Sequence, residues 1–587
     1  MERPLEGIRP IMGQDQTPSP EAGPASPRWC FVVVVGSAVL GLALIADQAV
    51  HMSATYDEVT YLRIAAHWWR TGEQDQITRL GSPLTFWKLQ QASTFWALDR
   101  VGLGFWVDDP IGHQEELLPV VRIGASWSWL LAMLIAANWA KQLHGPKGMA
   151  MAAIAFAVSP NLLAHGSLLT MEMPLVACSS AMLHRAWLFL KWKKSRDFWT
   201  TAALGGLGMS LKFTTILIPP ILALLWAIDL GLDPTDPRRG FRRIVGIART
   251  VGLGMVPFAA VMVLANLVVT GFATIPLSAR NGPHPSLEAR LGPALRPIAG
   301  RVLEASFPND WVAFTTQLSF QRAGGPSYLL GERRMTGWTY YYLVALAVKV
   351  PLAFWLLAIG RGWLGRRARS GDREWALPVF VVAFLVIAMM GSKRNYGYRY
   401  LLPMATPAIV WTSGLAEGRR AAKWCATLGL LGMGYAVGSI HPHELSYFNE
   451  LAGGPIGGRK FLADSNLDWG QGAKSLARLQ RARPEFRDLT VFYFGDTDPG
   501  HYGVEGLRIV FDANHVPAGL PSKLTVETRF LAVSASLQWG PWGPADYFRE
   551  LNDVEPVVYT DDFTIAIYRA SDVPPRAVPV SRPGRIR

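Results

Sequence analysis

The chain has 587 residues, half of them hydrophobic and only 17% charged. Soluble domains carry about 25% charged residues, so the composition excludes an ordinary cytosolic enzyme and a disordered or collagen-like chain. The formal charge is +13, from 57 Lys and Arg against 44 Asp and Glu. Much of that basic charge is clustered between long apolar runs, which points to cytoplasmic loops of a polytopic membrane protein rather than to nucleic acid. Cys30, Cys178 and Cys425 each lie within an apolar run, where a buried inert thiol is expected.

Residues 1–27 are rich in Pro, Gly and charge and are expected to be a disordered cytoplasmic N-terminus. Trp29 to Ala46 has no charged residue and reads as a membrane anchor rather than a cleaved signal peptide. A polar and aromatic segment follows, about 51–118. Apolar runs then lie near 119–140, 148–165, 167–190, 198–211, 213–230, 250–273, 337–360, 375–392, 400–416 and 424–441, which with the first gives eleven expected crossings. The linkers Lys141–Lys147, Lys191–Arg196, Arg238–Arg243, Arg361–Arg373 and Arg419–Lys423 are all basic. Placing all of them in the cytoplasm requires 148–190 and 198–230 each to cross twice, turning near Ser159–His165 and near Lys212. Segments 51–118, 274–336 and 442–587 then lie outside.

The tail, 442–587, changes character. Short β-type runs at 489–495, 508–512 and 529–536, a last pair around 557–568, and an amphipathic Gln471–Arg483 suggest a small α/β domain on the outer face. The expected fold class is therefore a predominantly α, polytopic membrane domain (28–441) carrying a C-terminal extracytoplasmic α/β domain (442–587).

On this topology the ionisable residues outside the basic linkers gather at one membrane boundary. Asp57 and Glu58 follow the first span and lead into Glu58–Arg70, whose apolar spacing suits a helix lying on the membrane surface. Glu172 sits on the fourth span, a turn or two in from its outer end, Lys212 at an outer turn, and Lys393, Arg394 and Arg399 in an outer loop. Ionisable groups at membrane depth are costly and mark a functional site. A carboxylate can take a proton from a hydroxyl, cations can hold a phosphate, and an apolar groove can hold a lipid tail. Together these suit sugar transfer from a lipid-phosphate donor. Each residue has a plainer alternative: Asp57 as a helix N-cap, Glu172 in a structural ion pair, Lys212 snorkelling, Arg394 and Arg399 as lipid anchors, His165 as a satisfied interface histidine. Lys349, before Pro351, suits snorkelling or donor contact equally. The run Asp464–Gly472 (DSNLDWGQG) reads either as a turn with Asp468 capping the following helix or as a loop reaching the site.

YDEVTYL, SPNLLAHGSLLTMEMPL, GMSLKFTTILIPP, YLLGERRMTGWTYYYLVALAVKVPL, NYGYRYLLP and LSYFNELAGGPIGG with LADSNLDWGQG, in this order, resemble the membrane-embedded GT-C glycosyltransferases. The similarity is to bacterial relatives of dolichyl-phosphate-mannose protein mannosyltransferases and of lipid A aminoarabinose transferase. It covers nearly the whole chain after residue 28. Glu172 stands where the family usually has Asp. The resemblance implies Asp57 as catalytic base, with Glu58 orienting the acceptor or the local helix. It also implies Lys212, Arg394 and Arg399 on the departing polyprenyl phosphate, Glu172 in the substrate site, and inversion at the sugar. No cofactor is expected; a divalent metal is conceivable only if Asp57, Glu58 and Glu172 converge. The implied partners are a polyprenyl-phosphate-linked sugar, a protein, lipid or polysaccharide acceptor, and membrane lipids, in a bacterial cytoplasmic membrane. The competing class is a transporter or lipid flippase, which would place its polar groups at mid-membrane.

Overall fold

The computed structural model describes residues 27–72, 86–279, 296–365 and 372–573, apart from 392, 514, 518, 519, 521–523, 525 and 545. The expected N-terminal tail lies almost wholly outside the described residues. The described chain is mostly helical. Five helical stretches among the described residues are long and apolar enough to cross a membrane, and a sixth is a bent pair. α1 (Arg28–His51) spans 24 residues, about 36 Å at 1.5 Å per residue. α2 (Tyr56–Thr71), α3 (Phe86–Arg100) and α4 (Gln114–Ala125) follow, then α5 (Trp127–Ala157), α6 (Glu172–Trp192), α7 (Ser195–Met209), α8 (Ile218–Gly231) and α9 (Gly240–Val269). α9 leaves Leu253, Val256 and Leu264 exposed along its length, an apolar face suited to lipid.

Breaks divide several apolar runs. α5 is interrupted at Gly145 (φ 73°) before Pro146, within the basic linker expected between two spans. The turn expected near 159–165 is a seven-residue helix, Pro160–Gly166. Beyond α10 (Asn309–Ala323), α11 (Tyr341–Lys349) meets α12 (Leu352–Leu364) at 101° across Val350–Pro351. α13 (Ala376–Gly391) has only 16 residues. α14 (Ala405–Thr412) continues a 3-10 turn, Tyr398–Met404, and α15 (Arg420–Gly438) completes the bundle.

α2 was expected on the membrane surface. Its apolar residues Val59, Leu62 and Ala66 pack with Phe95 of α3 and Leu117 and Val121 of α4. Asp57 does not cap this helix. The cap is Thr55, whose N–H donates to the Glu58 carboxylate in a Thr-x-x-Glu capping box.

The C-terminal residues form α16 (Ala473–Ala482) and a five-stranded sheet of β1 (Leu489–Phe494), β2 (Leu507–Phe511), β3 (Phe530–Ser534), β4 (Val558–Tyr559) and β5 (Ile565–Arg569), in the order β2-β1-β3-β5-β4. β1 is parallel to both neighbours, and β5 is antiparallel to β3 and β4. Every residue of β1 is buried. Leu489, Val491 and Tyr493 face Leu476 and Ala477 of α16, while Phe492 and Phe494 join Phe511, Tyr547 and Phe548 on the other side. That division follows the two-residue period of a strand covered on both faces.

Candidate functional site

A cavity of about 620 Å³ lies between α2, the start of α6, the Lys212 loop, α10 and the Arg394–Tyr400 segment. Asp57, Glu172, Lys212, Arg394 and Arg399 all line it, so five of the seven residues placed at that boundary from the sequence converge. The sequence separates them by more than three hundred positions.

The charges are paired across the cavity wall. Lys212 Nζ donates to Glu172 Oε1 at 2.6 Å. Arg399 Nη1 lies 3.3 Å from Asp57 Oδ2 and 3.4 Å from Glu172 Oε1, bridging the two carboxylates. Lys212 also sits 4.4 Å over the Tyr400 ring. Arg394 lies 5.1 Å from the Tyr396 ring and 5.5 Å from that of Phe320. Lys393 is exposed and outside the cavity lining. Burial raises the Asp57 carboxyl above its ordinary pKa and nearby Glu172 adds to the rise, against the opposing pull of Arg399. A carboxylate so tuned is a stronger base than a solvated one.

Glu58 is not brought into the cavity. Successive helical residues point about 100° apart, and Glu58 turns inward from Asp57. It accepts from Thr55 N (2.9 Å), Arg122 Nε (2.9 Å), Arg122 Nη2 (2.5 Å) and Leu169 N (2.6 Å), with both partners of the ion pair fully buried. Burial opposes the charge, but the Arg122 guanidinium and the N–H donors hold Glu58 below its usual pKa. Arg122 also donates to the carbonyls of Ala49, Met52 and Ser53. The pair therefore ties α2, the end of α1, α4 and the approach to α6 together behind Asp57. Arg122 escaped the sequence reading, although a lone arginine in LLPVVRIGA carried the signal.

The DSNLDWGQG run reaches the site. α16 starts at Ala473 with Gly472 at the cap, and Asp468 instead accepts from Gly470 N and Ser536 N. Trp469 lays its ring 4.2 Å from the Arg399 guanidinium carbon. Its carbonyl accepts from Tyr56 N at 2.8 Å, one residue before Asp57. Asn466 Oδ1 accepts from Tyr398 N, and Ser465 donates to the Tyr396 carbonyl. Gly397, at φ 104°, passes close by; a Cβ there would meet Ser465 Oγ at 2.7 Å. One short segment thus touches both the helix that carries Asp57 and the turn that carries Arg399. Lys349 takes neither expected role. It is buried, donating Nζ to the carbonyls of Leu445, Tyr447 and Asn466 at 2.5–3.1 Å, and so ties the bent α11–α12 span to this segment. His165 is also buried. Among the described residues no group of three His, Cys, Asp or Glu side chains is arranged to hold a metal.

A family model described as dolichyl-phosphate-mannose-protein mannosyltransferase matches residues 115–263. That stretch runs from α4 to α9 and contains Arg122, Glu172 and Lys212. The galactan 5-O-arabinofuranosyltransferase of Mycolicibacterium smegmatis is 24% identical over 269 residues, 44% of this chain; the match spans only 37% of that relative's length. Among solved structures, ArnT from Cupriavidus metallidurans in the apo state aligns with a TM-score of 0.44 at 14% identity, covering 94% of this chain and 99% of that one. The Archaeoglobus fulgidus oligosaccharyltransferase aligns at 0.38 and 13%, covering 88% and 68%. The family match over 115–263 is in line with the expected resemblance to membrane glycosyltransferases.

Proposed function

We propose that this protein is a membrane glycosyltransferase that moves a sugar from a polyprenyl-phosphate donor to an acceptor on the outer face of the cytoplasmic membrane. One observation carries the reading: Asp57, paired to Arg399, shares a cavity with Glu172, Lys212 and Arg394. In this reading Asp57 Oδ takes the proton of the acceptor hydroxyl. The acceptor oxygen forms a bond to the anomeric carbon as the bond from that carbon to the phosphate oxygen breaks. The product has inverted configuration, and the departing phosphate keeps the electron pair. Lys212, Arg394 and Arg399 offset the charge gained by the leaving phosphate. Glu172 holds Lys212 and Arg399 in place, and Glu58 positions α2 through Arg122. Eleven crossings, a cytoplasmic N-terminus and an outer domain over 442–587 complete the proposal.

The test is transfer by purified full-length protein in liposomes, given polyprenyl-phosphate sugars and envelope extract, with Asp57→Asn alongside. Labelled sugar should pass to a protein, lipid or polysaccharide fraction with wild type only. Movement of lipid across the bilayer without any sugar transfer would support a flippase and overturn the proposal.

A further inference from the structure

Helix α10 turns one stripe toward the cavity. Phe320 and four further α10 residues line it; those four, Phe314, Gln317, Leu318 and Gln321, are spaced by three, four and seven residues and share one face. Two of these four are amides one turn apart. A wall that only sealed the cavity or met an acyl chain would be served by apolar residues. An amide there costs free energy unless something hydrogen-bonds to it. Gln321 Oε1 is shielded from solvent and has no hydrogen-bond partner among the described residues.

The charges on the lining narrow what that something is. Lys212, Arg394 and Arg399 face Asp57 and Glu172, three cations against two carboxylates. Both carboxylates are already engaged, Asp57 with Arg399 at 3.3 Å and Glu172 with Lys212 at 2.6 Å. The lining carries one net positive charge, and neither of its carboxylates is spare for an ammonium. A glycosyl phosphodiester has one negative charge, which matches that balance only when its sugar is uncharged.

We propose that Gln317 and Gln321 form the sugar-reading subsite of this cavity, and that the donor sugar is an uncharged polyhydroxyl ring with a hydroxyl donating to Gln321 Oε1. A side-chain amide both donates and accepts, so a pair one turn apart suits neighbouring hydroxyls. This inference rests on the lipid-phosphate transferase reading: the cations hold the phosphate and the amides read the ring.

Binding to full-length protein in nanodiscs separates the two. Undecaprenyl methyl phosphate, a phosphodiester without a sugar, probes the cations. The undecaprenyl phosphodiesters of mannose, arabinofuranose and 4-amino-4-deoxyarabinose probe the amides. A neutral sugar is expected to add affinity over the methyl diester, and the amino sugar to add none. Gln317→Ala and Gln321→Ala should each remove roughly three- to ten-fold of the added affinity and leave methyl diester binding unchanged. That unchanged binding also shows that the variants are folded. Gln321→Glu places a carboxylate in the same volume and should shift preference toward the amino sugar. An equal loss for both kinds of diester, or no loss, overturns the subsite. Tightest wild-type binding of the amino sugar overturns the uncharged assignment. Failure of the wild type to bind the methyl diester overturns the underlying reading as well.

Discussion

Replacing Glu58 by Gln separates an architectural carboxylate from a chemical one. Both members of the Glu58–Arg122 pair are fully buried, and their contact is 2.5 Å. Glutamine keeps the shape, but turns an N–H₂ toward N–H donors and leaves the Arg122 charge uncompensated. Removing one partner of a buried pair costs about 3–5 kcal/mol. That loss should appear as a clearly lowered melting temperature. Differential scanning fluorimetry of detergent-purified protein measures it. Glu58→Gln with Arg122→Met removes both charges and should recover part of the loss. The pH dependence has a defined sign. Because the folded pKa of Glu58 is depressed, its stabilisation is present above the unfolded value and is lost as pH falls through the lower folded value. In Glu58→Gln that acid-side loss should vanish. A Glu58→Gln protein that melts like wild type yet transfers no sugar would refute this reasoning and return Glu58 to the chemistry.

Asp57→Asn should lower turnover by about 10²–10⁴-fold with an unchanged melting temperature; near-normal turnover removes Asp57 as base. The acid limb of wild-type kcat/KM should lie above the ordinary carboxylate value, because the raised Asp57 carboxyl is inactive once protonated; a limb below that value contradicts the assignment. Arg399→Ala should weaken phosphodiester binding by roughly 10- to 150-fold, the value of one charge-assisted contact, and wild-type affinity would remove it from the donor site. Trp469→Ala takes the ring from beneath Arg399 at 4.2 Å and should lower kcat by roughly ten-fold or more. Trp469→Phe should restore most of it, and equal rates in all three proteins would sink the positioning role.

The charged residues of the cavity were legible because each interrupts an apolar or aromatic stretch where a charge is costly. Asp57, Glu172, Lys212, Arg394 and Arg399 therefore stood out one by one, and a shared membrane boundary brought them together. The strands were legible for a different reason: a short β-branched and aromatic run such as 489–494 is visible in one dimension. Adjacency misled at Glu58, since neighbours along a helix do not share a face. Arg122 was absorbed into an apolar run because hydropathy averages over a window, and the break at Val350–Pro351 was hidden by the same averaging, whereas that at Gly145–Pro146 falls in an expected basic linker. The pairing of Trp469 with Arg399, and of Lys349 with the carbonyls of Leu445, Tyr447 and Asn466, depends on tertiary placement that no local pattern encodes. The α10 amides lay in a stretch the sequence marked only as an outer loop.

On the transferase reading, Arg399 couples donor binding to the strength of the base. Without donor, its guanidinium is shared between Asp57 at 3.3 Å and Glu172 at 3.4 Å, both long for charge-assisted hydrogen bonds, which run about 2.7–2.9 Å. A phosphodiester in the cavity offers the same guanidinium two non-bridging oxygens that its planar fork can engage together. Any share of Arg399 withdrawn from Asp57 raises the proton affinity of that carboxylate, since an opposite charge is what holds its pKa down. Glu172 keeps its own compensation through Lys212 at 2.6 Å. The Trp469 ring and the Tyr396 carbonyl, at 3.2 Å from Arg399 Nε, hold the side chain so that the exchange needs only a small reorientation of its tip. Asp57 therefore becomes the stronger base when the leaving group is in place, and is better neutralised when the cavity is empty.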